Sequence, residues 1–131
     1  MSSIFTKIIN GEIPSHKLLE NDHFFSFLDI RPIAPGHTLV IPKMEIDRFF
    51  DLNDSLLSDI LVFSKPLVAA IETVVPCQRV GLMVAGLEVP HAHLHLVPIN
   101  SISGLSFDNA RPASQQELMD MAANIRGELA K

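Results

Sequence analysis

The chain has 131 residues, 47% of them hydrophobic, with 10 basic and 15 acidic side chains and a net charge of -5 at pH 7. This length and composition fit one globular domain and exclude a chain that is disordered throughout. The acidic balance argues against a basic surface for a nucleic acid polymer, although a small anionic ligand would need only a few local donors.

The cysteine content and the apolar stretches indicate the cellular compartment of the protein. The single Cys77 can form no disulfide within the chain and no paired-thiol zinc or redox motif. Lys7 stands too early for the apolar core of a signal peptide. The longest stretch without Asp, Glu, Lys or Arg, 89–107, contains three His and two Pro and cannot span a membrane. We therefore expect a cytoplasmic protein with no membrane partner.

The first 42 residues predict a short helix and three strands. The helix stops at Asn10-Gly11, and the polar pair Asn21-Asp22 joins the first two strands as a hairpin. Prolines and a glycine make 30–36 a loop before the third strand, which Pro42 ends. The predicted helix covers 4–9, and the predicted strands cover 17–20, 23–28 and 37–42.

The middle of the chain predicts one long helix. Asn53 or Asp54 can cap it, and apolar residues follow at spacings of three and four up to Val75-Pro76. Pro66 falls inside this pattern and is expected to kink the helix or divide it in two. A buried strand is then predicted over 79–85, with Gly86 as a turn or bulge.

The last third predicts a strand over 91–99, a loop to Pro112 and a terminal helix over 115–129. Ser114 and Glu117 form the capping box of that helix. Strands, a long helix, further strands and a final helix together predict an α+β domain with a mostly antiparallel sheet.

His91, His93 and His95 are the most distinctive feature of the sequence. Alternate residues of a strand share one face, so the three imidazoles are expected to project together while Leu94 and Leu96 face the core. Imidazole changes protonation near pH 7, which suits nucleophilic and proton-transfer chemistry. Three structural histidines or a metal site are the alternatives. The metal site is disfavoured because Glu88 is the only carboxylate nearby in the sequence.

The histidine row and three upstream motifs resemble the histidine-triad (HIT) superfamily, in particular its bacterial Hint-like branch. The resemblance is clearest over 4–99. It rests on IFTKIINGEIP at 4–14, FLDIRP at 27–32 with APGHTLVIPK at 34–43, AGLEVPH at 85–91 and HAHLHLVP at 91–98.

The resemblance implies substitution at the α-phosphorus of a nucleotide through a covalent nucleotidyl-histidine. His93 matches the nucleophile and His95 the group that contacts the phosphate and leaving atom, a candidate acid. His91 and His37 match the supporting histidines. For the nucleotide, Asp29 matches the ribose-binding carboxylate, Ile30 the contact with the base, and Gly86, Leu87 and Glu88 the turn that approaches the phosphate.

The sequence departs from the family pattern at two polar positions and at a metal site. Leu87 replaces a glutamine that follows the glycine in many relatives, and Val80 stands where an amide-bearing residue is expected. The zinc-binding cysteines of some relatives are replaced by Phe5 and Lys7, so we expect no metal and no cofactor. His16 and His23 are interpreted as surface residues. The phenylalanines at 24, 25, 27, 49 and 50 are interpreted as core or dimer packing.

We therefore expect one HIT-like α+β domain over 1–131, with a five-stranded sheet and, by resemblance, a homodimer. The leading function is hydrolysis of a purine nucleoside phosphoramidate to an AMP-type product. Dinucleoside polyphosphate hydrolysis and a nucleotide-binding or scaffold role with weak catalysis are the alternatives. The attacking ring must be unprotonated, so kcat/KM should fall at acid pH.

Overall fold

The structure, a computed structural model, describes residues 2–131. Within that range the chain forms three α-helices, five strands and three short 3-10 turns. The helices are α1 (Ile4–Ile9), α2 (Asp54–Val74) and α3 (Gln115–Leu129); the strands are β1 (Lys17–Glu20), β2 (Phe24–Leu28), β3 (Thr38–Pro42), β4 (Arg79–Met83) and β5 (Leu94–Ile99).

The strands form one sheet in the order β1-β2-β3-β5-β4, and every neighbouring pair is antiparallel. This confirms the expected α+β fold with a five-stranded antiparallel sheet. β3 and β5 lie side by side near the centre, with Leu39 opposite His95. The pairing of β3 with β5 therefore brings the segment of His37 next to that of His95, although the two are far apart in the sequence.

The two faces of the sheet differ in how they are covered. On one face α2 and α3 enclose a large core that includes Phe24, Val40, Leu94 and Leu96. On the other face the short α1 covers a small cluster of Phe5, Phe25, Phe27, Leu39 and Ile41. Because side chains alternate along a strand, His95 points to the α1 face between Leu94 and Leu96. The predicted separation of histidines from leucines is confirmed at this strand.

The predicted capping residues of the two long helices are confirmed. The side chain of Asn53 accepts a hydrogen bond from the N–H of Leu56, and that of Ser114 accepts from the N–H of Glu117. Of the two outcomes expected at Pro66, division of the helix does not occur, since α2 is one helix of 21 residues that includes Pro66; the kink stays a prediction. Packing on the sheet holds the helix although a proline supplies no N–H at that turn. No described helix is long and apolar enough to cross a lipid bilayer.

Three sequence-based predictions are corrected at their boundaries or burial. β4 ends at Met83 and is half-exposed, because it lies at the sheet edge with β5 as its neighbour. The strand predicted from His91 begins at Leu94, so His91 and His93 lie in the preceding loop. Phe50 is 84% exposed and is therefore not a core residue, so dimer packing stays the prediction for it.

Candidate active site

The four predicted histidines meet on the α1 face of the sheet. His91 and His93 come from the loop before β5, His95 from β5, and His37 from the residue before β3; each is 0–6% exposed. The ring centroids of His93 and His95 lie 4.9 Å apart, and those of His37 and His95 lie 5.2 Å apart. The structure thus adds His37, across the sheet, to the row that the sequence predicts.

Hydrogen bonds fix which nitrogen of His37 and His95 carries the proton. The backbone N–H of Ile33 donates to Nδ1 of His37 at 3.0 Å, so the proton of the neutral His37 ring lies on Nε2. That Nε2 is 2.9 Å from Nδ1 of His95 and donates to it. His95 therefore carries its own proton on Nε2, a buried atom without a hydrogen-bond partner among residues 2–131. The pair presents one free donor to a ligand.

The nearby backbone gives His93 the opposite arrangement. Its Nδ1 is 2.7 Å from the carbonyl oxygen of His91, which can only accept, so Nδ1 holds the proton. The lone pair of Nε2 is then free. A row that presents a lone pair on His93 beside an N–H donor on His95 has the two groups needed to attack a phosphorus and to assist a leaving group.

His91 is a fully buried link between the row and the N-terminal helix. Its Nε2 donates to the carbonyl oxygen of Pro42 at 2.8 Å, which leaves Nδ1 as an acceptor for the hydroxyl of Ser3 at 2.8 Å. Ser3 also caps α1 by accepting from the N–H of Thr6. His91 is therefore held from two sides, and its carbonyl in turn orients His93.

Glu45 completes this network and was not among the predicted site residues. Its Oε1 accepts from the N–H of Ser3 at 2.7 Å and from the hydroxyl of Thr6 at 2.6 Å. The bond from Ser3 and then that from Thr6 lower the pKa of Glu45 to about 2. Sequence reasoning could have found Ser3 as a helix cap, but nothing local links positions 3 and 6 to 45 and 91.

Burial keeps three of the rings neutral. It lowers the pKa of His37 to about 3, with the His95 and His93 rings adding to the effect. Burial and the His93 ring lower the pKa of His95 to about 4. The pKa of His91 is lowered chiefly by burial, partly offset by its bond to the Pro42 carbonyl and by the charge of Glu45. Neutral rings are consistent with the tautomers given by the hydrogen bonds.

Asp29 lies next to the row at the end of β2. Its Oδ2 is 3.7 Å from Nε2 of His37, and because His37 is neutral this contact is not an ion pair. Its Oδ1 accepts from the N–H of Arg31 at 2.8 Å. Burial raises the pKa of Asp29 and the nearby Glu88 adds to that, while the Arg31 N–H opposes it. One carboxylate oxygen is thus bound to the backbone, and the other faces the site.

The remaining predicted nucleotide-binding residues are exposed around the histidines. Ile30 is 64% exposed and Leu87 is 92% exposed, and Gly86 has the positive φ of 73° expected for a turn. Glu88 is exposed and close enough to Asp29 to affect its pKa. These side chains form the open rim of the site and not its floor.

A possible metal-binding set arises across the sheet. One ligand atom each from Asp29, His37 and His95 lie within 4.8 Å of one another, so the carboxylate missing near the triad in sequence is supplied by Asp29. The set fits a metal poorly, because Nε2 of His37 and Nδ1 of His95 are engaged in a hydrogen bond with each other. That no metal is required stays a prediction.

Aromatic rings and a cavity adjoin the row. Phe5 packs edge-on against His91 and His93, with centroids 5.8 and 5.1 Å apart, and Phe107 against His95 at 5.1 Å. A cavity of about 300 Å³ lies between the 29–37 loop and α3, and it includes two site residues, Asp29 and His37. Phe5 and Phe107 were missed as site residues because aromatic residues in a single sequence indicate packing first.

Comparison with known proteins is consistent with this geometry. Residues 10–102 match the family described as HIT domain. The chain is 43% identical over 97 residues to adenosine 5'-monophosphoramidase HNT1 of Saccharomyces cerevisiae, covering 72% of this chain and 61% of that protein. It is 36% identical over 133 residues to adenosine 5'-monophosphoramidase hnt1 of Schizosaccharomyces pombe, covering 98% and 99% of the two chains.

Solved structures extend the likeness to the whole chain. A Hit-like protein of Bartonella henselae, described as involved in cell-cycle regulation, superposes with a TM-score of 0.85 at 30% identity, covering 97% of this chain and 96% of that one. A zinc-bound histidine triad family protein of Mycobacterium smegmatis gives 0.85 at 27% identity, covering 99% and 94%.

Proposed function

The chain belongs to the HIT domain family, and on that premise we propose that it is a hydrolase acting at the α-phosphate of a purine nucleoside phosphoramidate. Its product would be an AMP-type nucleotide, formed through a covalent nucleotidyl-histidine. The observation that carries the proposal is the pair of tautomers. His93 has a free Nε2 lone pair because Nδ1 donates to the His91 carbonyl, and it lies beside the unpartnered Nε2–H of His95. The relatives named as adenosine 5'-monophosphoramidases support the substrate class.

In the first step, Nε2 of His93 attacks phosphorus while its Nδ1–H stays bound to the His91 carbonyl. The new P–N bond forms as the bond from phosphorus to the leaving nitrogen breaks. His95 donates a hydrogen bond from Nε2–H to that nitrogen, which takes a proton from solvent and departs as a neutral amine. The His95 ring keeps its own proton, because losing it would leave an imidazolate.

In the second step, a water oxygen displaces His93 from phosphorus. The nucleoside monophosphate is released, the His93 ring regains its free lone pair, and the water gives up one proton to solvent. His37 supports both steps because its donated hydrogen bond holds Nδ1 of His95 as an acceptor. His91 supports them through the carbonyl that orients the nucleophile.

Asp29 and the exposed rim are together proposed to hold the nucleotide. Asp29 would accept from the ribose hydroxyls with Oδ2, since Oδ1 is bound to the Arg31 N–H. Ile30, 64% exposed, offers apolar surface to the base. The turn of Gly86, Leu87 and Glu88 would turn backbone N–H groups toward the phosphate, as positive φ at Gly86 permits.

A variant at the nucleophile tests the proposal. We expect His93→Ala to reduce hydrolysis of adenosine 5'-phosphoramidate by at least about 1,000-fold, with AMP still bound. His23→Ala, a change at an exposed histidine outside the row, is the matched control and should leave turnover intact. Acid quenching during turnover, followed by peptide mass spectrometry, should locate the nucleotidyl adduct on His93. An adduct on any other residue would overturn the proposed mechanism.

Screening other substrates separates the alternatives. Faster turnover of diadenosine polyphosphates would favour dinucleoside polyphosphate hydrolysis. AMP binding without turnover of any phosphoramidate, sulfate or polyphosphate would indicate a binding or scaffold protein. Leu87 and Val80 are apolar at positions where the family resemblance leads us to expect polar side chains near the phosphate. A different substrate or weak catalysis would have its cause there.

We further propose that the reaction needs no metal. The two nitrogens that Asp29 would have to join in a metal site already bind each other in the His37–His95 pair. Dialysis against EDTA should leave kcat/KM unchanged within about twofold. A loss restored by stoichiometric zinc or iron would contradict the proposal.

We also propose that residues 1–131 form one domain, that the protein is a cytoplasmic homodimer, and that it binds no nucleic acid polymer. α3 packs on both α2 and β1, which ties the terminal helix to the sheet and supports a single domain.

The sheet edge at β4 supports the homodimer. Its outer side is open, and the apolar side chains of Leu82 and Val84 beside it are 47% and 42% exposed. Such an edge favours pairing with a second copy. Light scattering should give twice the 14.5 kDa chain mass, and Leu82→Lys should shift it toward the monomer.

A further inference from the structure

Phe107 lies beyond the segment that matches the family, 10–102, and yet it reaches the histidine row. Its ring centroid is 5.1 Å from that of His95, with the two rings inclined at 76°. Phe107 remains 46% exposed although it makes this contact. One part of the Phe107 ring therefore covers His95, and the rest is exposed beside it.

The segment that carries Phe107 is held in place by hydrogen bonds. Phe107 begins a 3-10 turn, and the hydroxyl of Ser106 caps it by accepting from the N–H of Asp108. The side-chain amide of Asn109 donates to the carbonyl of Ser103 at 3.0 Å. The ring is thus carried on a closed turn and not on an extended tail.

The segment is also tied to the rim of the site. The N–H of Arg111 donates to the carbonyl of Pro32 at 3.1 Å, and that of Ala113 to the carbonyl of Ile30 at 3.2 Å. These bonds join the chain after Phe107 to the loop that holds Asp29 and Ile30. Phe107 is therefore fixed relative to both His95 and the proposed nucleotide-binding residues.

The position of Phe107 identifies the part of a substrate that it would contact. In the proposed reaction the unpartnered Nε2–H of His95 faces the leaving nitrogen. A group bonded to that nitrogen would lie close to a half-exposed aromatic ring that packs on the same imidazole. An aromatic ring offers a large apolar contact area and favours a carbon skeleton over water.

We propose that Phe107 is a specificity-determining residue that favours phosphoramidates of apolar or aromatic amines over those of ammonia. This inference rests on the proposed function, since it assigns the leaving-group side of that site. Phe107 would bind the carbon skeleton of the amine and take no part in the bond changes at phosphorus.

The test compares two substrates that differ only in the leaving amine, adenosine 5'-phosphoramidate and its N-benzyl derivative. For Phe107→Ala we expect the ratio of kcat/KM, benzyl over unsubstituted, to fall by about tenfold, mainly through a higher KM for the benzyl compound. Phe107→Leu should retain most of the preference, because it restores apolar surface. Phe50→Ala removes another exposed phenylalanine, whose ring packs on Phe49 instead of on a histidine, and should leave the ratio unchanged.

The outcomes separate this inference from the proposed function. If the wild-type protein hydrolyses both compounds and Phe107→Ala leaves the ratio unchanged, or lowers both rates equally, the specificity role is wrong and the proposed function stands. If the wild-type protein hydrolyses neither, the proposed function fails and this inference fails with it. Thermal unfolding of each variant verifies that the fold is retained.

Discussion

The buried histidine row and the exposed rim around it are built in opposite ways. Each ring of the row is at most 6% exposed, and main-chain groups fix the tautomers, with carbonyls of Pro42 and His91 accepting and the N–H of Ile33 donating. The rim carries side chains such as Ile30 and Leu87 that are 64% and 92% exposed. The proposed reacting groups are thus buried and held by hydrogen bonds, whereas the rim residues proposed to contact the substrate are exposed to solvent.

This difference teaches that the two regions should respond differently to change. A buried ring whose proton position depends on a backbone group cannot be altered without cost to both folding and chemistry. An exposed rim residue can change the preference for a substrate with little cost to stability. Variants and conditions that act on the row are expected to have strong effects, and changes at the rim weak ones.

Acidification should destabilise the protein through the row. The folded chain keeps His37 and His95 neutral, with pKa values of about 3 and 4, whereas the unfolded chain binds protons near pH 6.5. Below pH 6.5 the unfolded state binds more protons, so the free energy of unfolding falls, by up to about 1.4 kcal/mol per pH unit for each ring. Urea unfolding at pH 7, 6 and 5 measures this slope. A free energy of unfolding that is flat over that window would contradict the buried neutral row.

Removal of one supporting ring should reduce activity strongly. His37→Ala leaves Nδ1 of His95 without its donor and the buried N–H of Ile33 without its acceptor. We expect kcat to fall about 100-fold, as when one fixed hydrogen-bond donor is lost from an active site. Stability should also fall by about 1–3 kcal/mol. Steady-state kinetics and urea unfolding measure the two effects; unchanged kcat in a folded variant would refute the proposed role of the pair.

Loss of the Ser3 hydroxyl should have a smaller effect on activity. Ser3→Ala removes the donor to Nδ1 of His91 and the cap of α1, and we expect kcat/KM to fall about five- to tenfold. Ser114→Ala removes the equivalent cap of α3 away from the site. Both variants should lose about 1 kcal/mol of stability, and only the first should lose activity. Ser3→Thr should recover much of the rate, and equal activity losses in the two alanine variants would show a merely structural role.

A change at the exposed rim should have the smallest effect. Leu87→Gln places an amide where the family resemblance leads us to expect one, and one added hydrogen bond to a phosphate oxygen should raise kcat/KM about threefold. Leu87→Met keeps an apolar side chain at this 92% exposed position and is the matched control. The stability of both should stay within about 0.5 kcal/mol of the parent. A loss of stability comparable to that of His37→Ala would abolish the contrast between row and rim.

Local sequence signals predicted most of the fold. The helix cap at Asn53, the capping serine at Ser114 and the stop at Asn10 all depend on residues at most four positions apart. The errors arose where burial or pairing decides the outcome. β4 has a core-like sequence and lies at an edge, and α2 tolerates Pro66 because tertiary packing supports it.

The site was predicted only in part, for the same reason. Alternation predicted that the three triad histidines lie together, although only His95 stands in a strand and the loop before β5 positions His91 and His93. The capping hydroxyl of Ser3, the carboxylate of Glu45 and the ring of Phe107 reach the row from elsewhere in the chain, the first across 88 positions. The pattern of apolar and polar residues within one helix or strand cannot predict contacts between residues so far apart in the sequence.

The elements, the grouping of the triad histidines and the family likeness follow from the amino-acid sequence, because each depends on neighbouring residues or on ordered motifs. Which nitrogen of a ring holds the proton depends on the folded structure. For His95 the choice depends on the hydrogen bond from Nε2 of His37, 58 positions away, which forms because β3 and β5 lie side by side. For His91 it depends on the bonds to Ser3 and to the Pro42 carbonyl, 88 and 49 positions away. A hydrogen bond requires two atoms within about 3 Å, and packing of the folded chain sets that distance for groups so far apart in sequence.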